Sequence, residues 1–501
     1  MGFIKSLWEP HVPKSSKFVI VMLMACSTVT SATIGYDASM MSGLNILPSY
    51  TEYFHITTAT KSLGSSATYI GGIIAGLTFP HIVNLISRRD ALLLAAMVTI
   101  VFIILQAASV NIAMFIISRI GLGVGKSSTM IVAPIYLAET FPHKYRAWGL
   151  GLINDFYYVG ALFAAGVTYR TADFNSTWSW RLPSLLQGAW SLLCISVLPF
   201  IPESPRWLVF QGRNQEALRV LAQVGSDGDE TDPVVLAEYR EILDTIEYER
   251  SAVGIMTVKE VLKSPSALKR LSLVCSCALA TVIVGNQIAS YYFGTMLENA
   301  GITNTTTQLQ INIILNAWCL VCALAGTFLA EKIGRRITAL SSTTLLTIFL
   351  FLIGVFTKIY GNSDNKSGIY GTVACMFLFM GAYSFGWTPL CYLYPPEVLN
   401  YPIRALGMGV NTWTYFCFGL AFVFSFPFAM DAMGWKVYMM NGSWNVLLIL
   451  FIYFKWVETK GKTLEEIDGI FEGMKQTGVP DLEKLESAKL DIETDPVKEK
   501  I

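Results

Sequence analysis

Four ionisable residues interrupt long apolar runs of the chain, and they are Asp37, Arg119, Lys126 and Asp155. On membrane-insertion scales such a residue costs about 2.5–3.5 kcal/mol at the centre of a span, so each of the four needs a reason to be there. A carboxyl group in an apolar setting is stabilised either by a proton or by a neighbouring cation. These residues therefore predict two kinds of chemistry, namely reversible proton binding and ion pairing inside a membrane.

Asp37 and Arg119 form the first predicted pair. Asp37 lies midway along the first apolar run, far from either end, and Arg119 lies in the fourth run. We expect Asp37 to bind a proton and Arg119 to hold the carboxylate once that proton has left. The alternative is a static buried ion pair.

Lys126 and Asp155 form the second predicted pair. Lys126 follows Arg119 by seven residues, which is two turns along the same helix face. Asp155 stands nine residues after Arg146 in the next apolar run, and a rise of about 1.5 Å per residue places it within about 6 Å of the depth of Lys126. The alternative is that either side chain reaches an aqueous cavity alone.

The elements that position these side chains are predicted to be membrane helices. Of 501 residues, 53% are hydrophobic and only 14% are charged, against about 25% charged in an average soluble protein. A span needs about 20 apolar residues. The apolar runs predict an all-α membrane protein with twelve transmembrane helices, near residues 18–44, 63–86, 91–110, 112–137, 147–168, 182–200, 271–297, 311–331, 337–357, 369–394, 405–429 and 438–457.

These spans divide the chain into a series of units. The predicted units are an N-terminal tail (1–17), a six-helix bundle (18–200), a linker with short helices (201–270), a second six-helix bundle (271–457) and a C-terminal tail (458–501). With both termini in the cytoplasm, most of the 36 Lys and Arg residues fall on the cytoplasmic side, as the positive-inside rule requires. All four Asn-x-Ser/Thr sequons then face outward, where glycosylation could occur: Asn175, Asn304, Asn365 and Asn441.

Several classes of function are disfavoured by composition. The 36 basic and 36 acidic residues give no net charge, which argues against a nucleic-acid partner. The nine cysteines lie inside apolar runs and only four histidines exist, so no metal or cofactor is expected. The spans show no grouping of a nucleophile with a general base, which argues against a membrane enzyme.

Charged residues repeat at the ends of corresponding spans in the two halves. The offsets between matching positions are 247, 258, 258 and 255 residues, which indicates two six-helix units related by an internal repeat. Opposite charges there could tie a unit together in one conformation and release it in another, or could be static anchors. The set comprises Arg88, Arg89, Glu139, Arg146, Glu203, Arg206, Glu331, Arg335, Arg336, Glu397, Arg404 and Glu458.

Taken together and in this order, the motifs resemble the sugar porter family of the major facilitator superfamily over almost the whole chain. They are Gly35-Tyr36-Asp37, Arg119-x-Gly-x-Gly-x-Gly125, Pro134-x-Tyr136-x-x-Glu139 with Arg146, Pro202-Glu-Ser-Pro-Arg-Trp-Leu208, Gly334-Arg-Arg336 and Glu458-Thr-Lys-Gly461. Gly285-Asn286 with Tyr291-Tyr292 looks like the fungal lactose and oligosaccharide permease branch, and fungal hexose transporters are also similar. The resemblance implies two pseudo-symmetric six-helix bundles, a central site, alternating access, and Asp37 with Arg119 as the proton-coupling pair.

Solute recognition would use amide, hydroxyl and aromatic groups near mid-span. Asn154 and Tyr392 stand where the family usually has Gln and often has Trp, and Thr281-Val282 replaces its paired Gln, so the resemblance leaves the solute open. The predicted solute-binding residues are Asn154, Asn286, Gln287, Tyr291, Tyr292, Asn316, Trp387, Tyr392, Asn411 and Trp413.

The predicted function is uptake of a sugar or sugar-like solute with a proton, by a monomer in a eukaryotic plasma membrane. One alternative is a facilitative carrier in which Asp37 is only structural. Another is a carrier of a polyol, a quinate-like acid or a secreted metabolite. A sugar sensor is a less favoured alternative, because the predicted C-terminal tail is short.

Overall fold

The computed structural model describes residues 12–45, 47–174, 176–252, 258–286, 297, 305–360, 365–462 and 464–472. Twelve helices in these ranges are long and apolar enough to cross a bilayer. We number them α1 to α12 in chain order and name the shorter helices by their residues. This architecture confirms the predicted all-α membrane fold.

The first six membrane helices form the N-terminal half. Local sequence sets where some of them begin: the Ser87 hydroxyl accepts the Asp90 N–H at 3.1 Å, and the Asn111 side chain accepts the Met114 N–H at 2.8 Å. The bounds are α1 (Ser16–Leu44), α2 (Thr58–Leu85), α3 (Arg88–Ala107), α4 (Ile112–Thr140), α5 (His143–Thr171) and α6 (Trp178–Phe200).

The other six form the C-terminal half. The seventh helix starts earlier than the predicted residue 271, because Ser264 caps it and Pro265 occupies its first turn. The bounds are α7 (Pro265–Ile283), α8 (Thr305–Ile333), α9 (Arg335–Tyr360), α10 (Lys366–Val398), α11 (Tyr401–Met433) and α12 (Lys436–Lys455).

Short helices cover one end of the bundle, which we call the charged end. Four of them follow α6, at Pro205–Phe210, Asn214–Gly225, Pro233–Ala252 and Val258–Val261, and one follows α12, at Leu464–Glu472. They are tied to membrane helices. The Ser16 N–H at the start of α1 donates to Asp227 at 2.6 Å, and Arg270 in α7 pairs with Asp468 at 2.5 Å.

Glycines permit the same close helix approach in both halves. A Cβ at Gly71 of α2 would lie 2.1 Å from the Ile120 carbonyl oxygen of α4, and one at Gly326 of α8 would lie 1.8 Å from the Phe385 carbonyl oxygen of α10. No side chain fits at such a distance, and small residues are how membrane helices approach closely. The equivalent helix pairs support the internal repeat.

The two sequons that the structure describes lie in different environments. Asn365 is exposed and caps α10, where its Oδ1 accepts the N–H groups of Ser367 and Gly368 at 3.1 and 3.4 Å. Asn441 is fully buried in α12, and its Oδ1 accepts the Trp444 indole N–H at 2.8 Å. The prediction of glycosylation at Asn441 is therefore wrong, because this side chain faces the bundle. Asn175 and Asn304 lie outside the described residues.

Single-sequon variants provide a test of Asn365 and of its side of the membrane. At about 1.5 Å per residue, the 33-residue α10 is longer than the ~30 Å bilayer core, so Asn365 projects beyond it. In a eukaryotic host, we expect a chain that keeps only Asn365 to carry a glycan and a matched chain that keeps only Asn441 to carry none. Gel mobility before and after endoglycosidase treatment measures this. An unmodified Asn365 chain would contradict the prediction.

Candidate functional site

The Asp37 carboxylate is held by two cations of α4. Arg119 donates to it in a bidentate manner, with Nη1–Oδ1 at 2.8 Å and Nη2–Oδ2 at 3.4 Å, and the Lys126 ammonium also donates to Oδ2. The Arg119 Nε–H is bound by the Gly64 carbonyl at 2.8 Å. All three charged side chains are buried. The expected contact between Asp37 and Arg119 is thus present, and its role in proton coupling stays a prediction.

The predicted Lys126–Asp155 pair is wrong. Lys126 points toward α1 because it shares a face of α4 with Arg119, and that face meets Asp37. Asp155 lies on the face of α5 that meets α8, where the Thr327 hydroxyl donates to its Oδ2 at 2.6 Å. Equal depth in the bundle did not put the two residues on facing sides.

A cavity lies between the two halves at mid-depth and encloses about 1090 Å³ of empty space, including the part open to solvent. Among the predicted solute-binding residues, four line the cavity: Asn154, Asn286, Tyr392 and Asn411. The Oδ1 atom of Asn411 is buried and has no hydrogen-bond partner among the described residues.

Six other predicted solute-binding residues are not placed in this cavity. The Trp387 indole is fully buried in the C-terminal half and donates to the Thr343 hydroxyl at 3.1 Å. The backbone of Trp413 packs against Gly76, and Asn316 donates to the Asn312 carbonyl of its own helix at 2.9 Å. The remaining three lie outside the described residues: Gln287, Tyr291 and Tyr292.

Several residues that line the cavity were not among the predicted solute-binding residues. Tyr157 and Tyr158 follow Asn154 by three and four residues, so helix periodicity could have placed them on the same face. Lys126 also lines the cavity, which joins the Asp37 charge cluster to it. The other aromatic lining side chains are Tyr69, Tyr383, Tyr415 and Phe416.

Polar contacts close the seam between α5 of the N-terminal half and α8 and α10 of the C-terminal half. The Asn154 amide donates to the Thr388 carbonyl at 2.7 Å, and the Ser384 hydroxyl donates to the Tyr158 hydroxyl at 2.8 Å. The hydrogen bond from Thr327 to Asp155 crosses the same seam. These contacts must break if the halves separate at this depth.

At the charged end, the N-terminal half holds a buried network around Glu139 and Glu203. Arg88 Nε lies 3.2 Å from Glu139 Oε2, which also accepts the Ser204 hydroxyl at 2.6 Å. Glu203 accepts the backbone N–H groups of Arg88 and Arg89 at 3.0 and 3.3 Å, at the positive N-terminus of α3. Burial raises the pKa of the Glu203 carboxyl, whereas the hydrogen bond from the Ser204 N–H and the nearby charge of Arg89 favour its charged form.

The C-terminal half repeats this network. Arg335 pairs with Glu397, with Nη2–Oε1 at 2.7 Å, and Glu397 accepts the Thr459 hydroxyl at 2.7 Å. Glu458 accepts the backbone N–H groups of Arg335 and Arg336 at 2.8 and 3.0 Å, at the start of α9. Each contact matches one in the other half, so the sequence repeat corresponds to a structural repeat.

One ion pair at the charged end joins the two halves. Arg404 Nη1 of α11 lies 3.3 Å from Glu139 Oε1 of α4, and both side chains are buried.

The other charged residues at this end have different outcomes. Arg270 was not predicted, and it donates to the Val398 carbonyl at 2.9 Å and pairs with Asp468. Arg206 is also buried, whereas the side chains of Arg146 and Glu331 lie outside the described ones.

Comparison with known proteins agrees with the fold and the motifs. Residues 23–471 match the family model "Sugar (and other) transporter". The MFS glucose transporter mfs1 of Aspergillus flavus is 28% identical over 93% of this chain and 92% of its own length. High-affinity glucose transporter 1 of Candida albicans is 26% identical over 90% of this chain and 86% of its own length.

Solved structures share the fold. The proton:xylose symporter XylE bound to 6-bromo-6-deoxy-D-glucose superposes with a TM-score of 0.79 at 21% identity, over 91% of this chain and 100% of the other. The relatives are membrane transporters and not enzymes. The chain therefore belongs to the sugar (and other) transporter family, within the major facilitator superfamily.

Proposed function

We propose that this protein carries a sugar or sugar-like solute across the plasma membrane by alternating access, as a proton symporter that uses Asp37 with Arg119. Both termini are assigned to the cytoplasm, so the charged end faces inward, and a monomer contains the whole pathway. The observation that carries the proposal is the central cavity between the halves, which has amide and aromatic walls and the Asp37 charge cluster at its edge.

The chemistry of the cavity walls supports a polyhydroxylated solute. The unpartnered Asn411 Oδ1 accepts a hydrogen bond from a hydroxyl group, which removes the penalty of leaving a buried acceptor unpaired. Tyr157 and Tyr158 offer ring faces to the apolar side of a sugar. The glucose transporters among the relatives support the same class of solute.

Proton coupling through Asp37 follows from the charges around it. Protonation of Asp37 removes the negative charge that holds Arg119 and Lys126, and so frees α4 from α1. One proton moving down 100 mV supplies about 2.3 kcal/mol, and a tenfold pH difference adds about 1.4 kcal/mol. Together these could sustain an accumulation of several hundredfold.

Facilitative transport without protons is the second candidate, and Lys126 is the observation that favours it. Lys126 gives Asp37 a second counter-ion next to Arg119, so the carboxylate is neutralised without a proton. In that case Lys126 moves when the protein changes conformation, and no proton binds to Asp37.

Uptake measurements separate the two candidates. The full chain is reconstituted in liposomes and assayed with a panel of labelled mono- and disaccharides at two external pH values, with and without a protonophore. Accumulation above equilibrium that the protonophore abolishes supports symport, and equilibration that ignores it supports facilitation. No uptake of any sugar in the panel would overturn the proposed solute class.

Substitution of Asn411 tests the cavity as the solute site. Asn411→Leu removes the unpartnered acceptor at similar volume, and a lost hydrogen bond to a buried group is worth about 1–3 kcal/mol. We expect KM for the transported sugar to rise by about tenfold or more. The matched control is Asn316→Leu, because Asn316 bonds its own helix outside the cavity. Equal changes in KM for both variants would contradict the assignment.

A further inference from the structure

Asp155 is a buried carboxyl group that lacks the cation predicted for it. It lies near the middle of the 29-residue α5 and is fully buried. Its Oδ2 accepts the Thr327 hydroxyl across the seam at 2.6 Å, whereas its Oδ1 is buried and has no hydrogen-bond partner among the described residues. The predicted partner, Lys126, is bound to Asp37 instead.

An ionised carboxylate is costly in such a place. Taking a single charge out of water costs several kcal/mol unless a cation or several hydrogen bonds compensate, and one hydroxyl group supplies little of this. In the described part of the chain no Lys, Arg or His lies within ion-pair distance of Asp155. A proton is the remaining means of neutralising it.

The other titratable groups around Asp155 do not supply that compensation. Tyr158 of α5 and the Cys391 thiol of α10 lie within electrostatic reach of it, and both are neutral near pH 7. Other titratable groups lie on the helices around α5. Asp37 of α1 binds Arg119 and Lys126 of α4, and Cys194 of α6 contacts Cys26. The remaining groups are Cys319 and Cys322 of α8 and Tyr383 and Tyr392 of α10.

We propose that Asp155 is a second proton-binding group of the transport cycle, neutral while α5 and α8 are in contact and ionised when they part. The proposal rests on the alternating access proposed above. In the closed seam, the neutral acid accepts the Thr327 hydrogen bond. When the halves separate, water reaches Asp155, its O–H bond breaks, the proton passes to water and the carboxylate is hydrated.

The packing around Thr327 makes this coupling tight. A Cβ at Gly151, one turn before Asp155, would lie 2.6 Å from the Thr327 Cγ2 atom, so the Thr327 side chain packs directly against the backbone of α5 here. Separation of the two helices therefore removes the hydrogen bond and admits water in one step. The protonation of Asp155 thereby depends on whether the seam is closed, whereas Asp37 is bound by residues of its own half.

Infrared difference spectroscopy during a pH titration tests proton binding directly. The full chain in liposomes, without solute, is compared with Asp155→Asn, Asp37→Asn and Asp173→Asn, the last being an exposed carboxylate paired with Arg170. We expect a titrating carboxyl C=O band that Asp155→Asn removes and the other two variants retain. Thr327→Val should shift that band, because it deletes the hydrogen bond to Oδ2. An unchanged set of bands in Asp155→Asn would overturn the proposal.

Uptake at several pH values gives a second, independent readout. Asp155→Asn mimics the neutral acid permanently, so we expect it to lose part of the pH dependence of uptake that Asp173→Asn keeps. If Asp155→Asn fails to fold, the band shift in Thr327→Val decides, and no shift there overturns the proposal. A chain that transports no sugar but loses the band in Asp155→Asn would contradict the proposed function and leave Asp155 as a proton site.

Discussion

A Glu139→Gln variant is expected to separate the two halves at the charged end and to lower the stability of the N-terminal half. Glu139 is the common acceptor for Arg88, Arg404 and Ser204, and all of these contacts are buried. The amide has no negative charge to offset the two buried guanidinium groups that contact Glu139, and removal of one member of a buried ion pair costs about 3–5 kcal/mol. Distances between spin labels across the charged end should lengthen, and the thermal unfolding midpoint should fall.

Glu397→Gln is the matched control for this prediction. Glu397 makes the equivalent contacts to Arg335 and Thr459, but both of its partners belong to its own half. We expect it to lower the unfolding midpoint without lengthening the distances between the halves. Equal separation in both variants would show that the Arg404–Glu139 pair does not hold the two halves together at the charged end.

The sequence was most informative for features that depend only on the order of residues along the chain, such as the length of an apolar run or a charge at the start of a helix. Twelve apolar runs are needed for twelve spans, and the structure has a membrane helix in each of them. The charge networks were also predictable, because Arg88 and Arg335 each stand at the start of a helix and a carboxylate of the same half meets them. Spacing in the sequence fixes the order and the depth of such residues.

Rotation about the helix axis is what the sequence left open. Lys126 and Asp155 were matched by depth, but the face that Lys126 shares with Arg119 turns toward α1 and away from Asp155. Trp387 failed as a cavity residue for the same reason, since its indole faces Thr343 of α9. In a membrane bundle, apolar faces meet lipid as well as protein, so hydrophobic periodicity does not say which neighbour a polar face will meet.

Asp37→Asn is expected to have a larger effect on transport than Glu139→Gln. It leaves Arg119 and Lys126 facing each other without a counter-charge, and such a buried imbalance costs about 3–5 kcal/mol. If Asp37 is the proton site, protonophore-sensitive accumulation is lost in this variant while solute exchange at equal concentrations continues. Accumulation that survives Asp37→Asn would contradict its coupling role. Uptake and counterflow in liposomes measure the two activities separately.

Lys126→Met, alone and combined with Asp37→Asn, separates the coupling role of Asp37 from its structural role. The double variant leaves only Arg119 charged, so we expect its unfolding midpoint to lie above that of Asp37→Asn, while accumulation stays lost. Lys126→Met alone keeps the bidentate contact between Arg119 and Asp37 and removes the competing cation. Protonation of Asp37 then becomes easier, so uptake should respond more strongly to external pH than in the unmodified protein. An unchanged pH response would mean that Lys126 does not compete with the proton for Asp37.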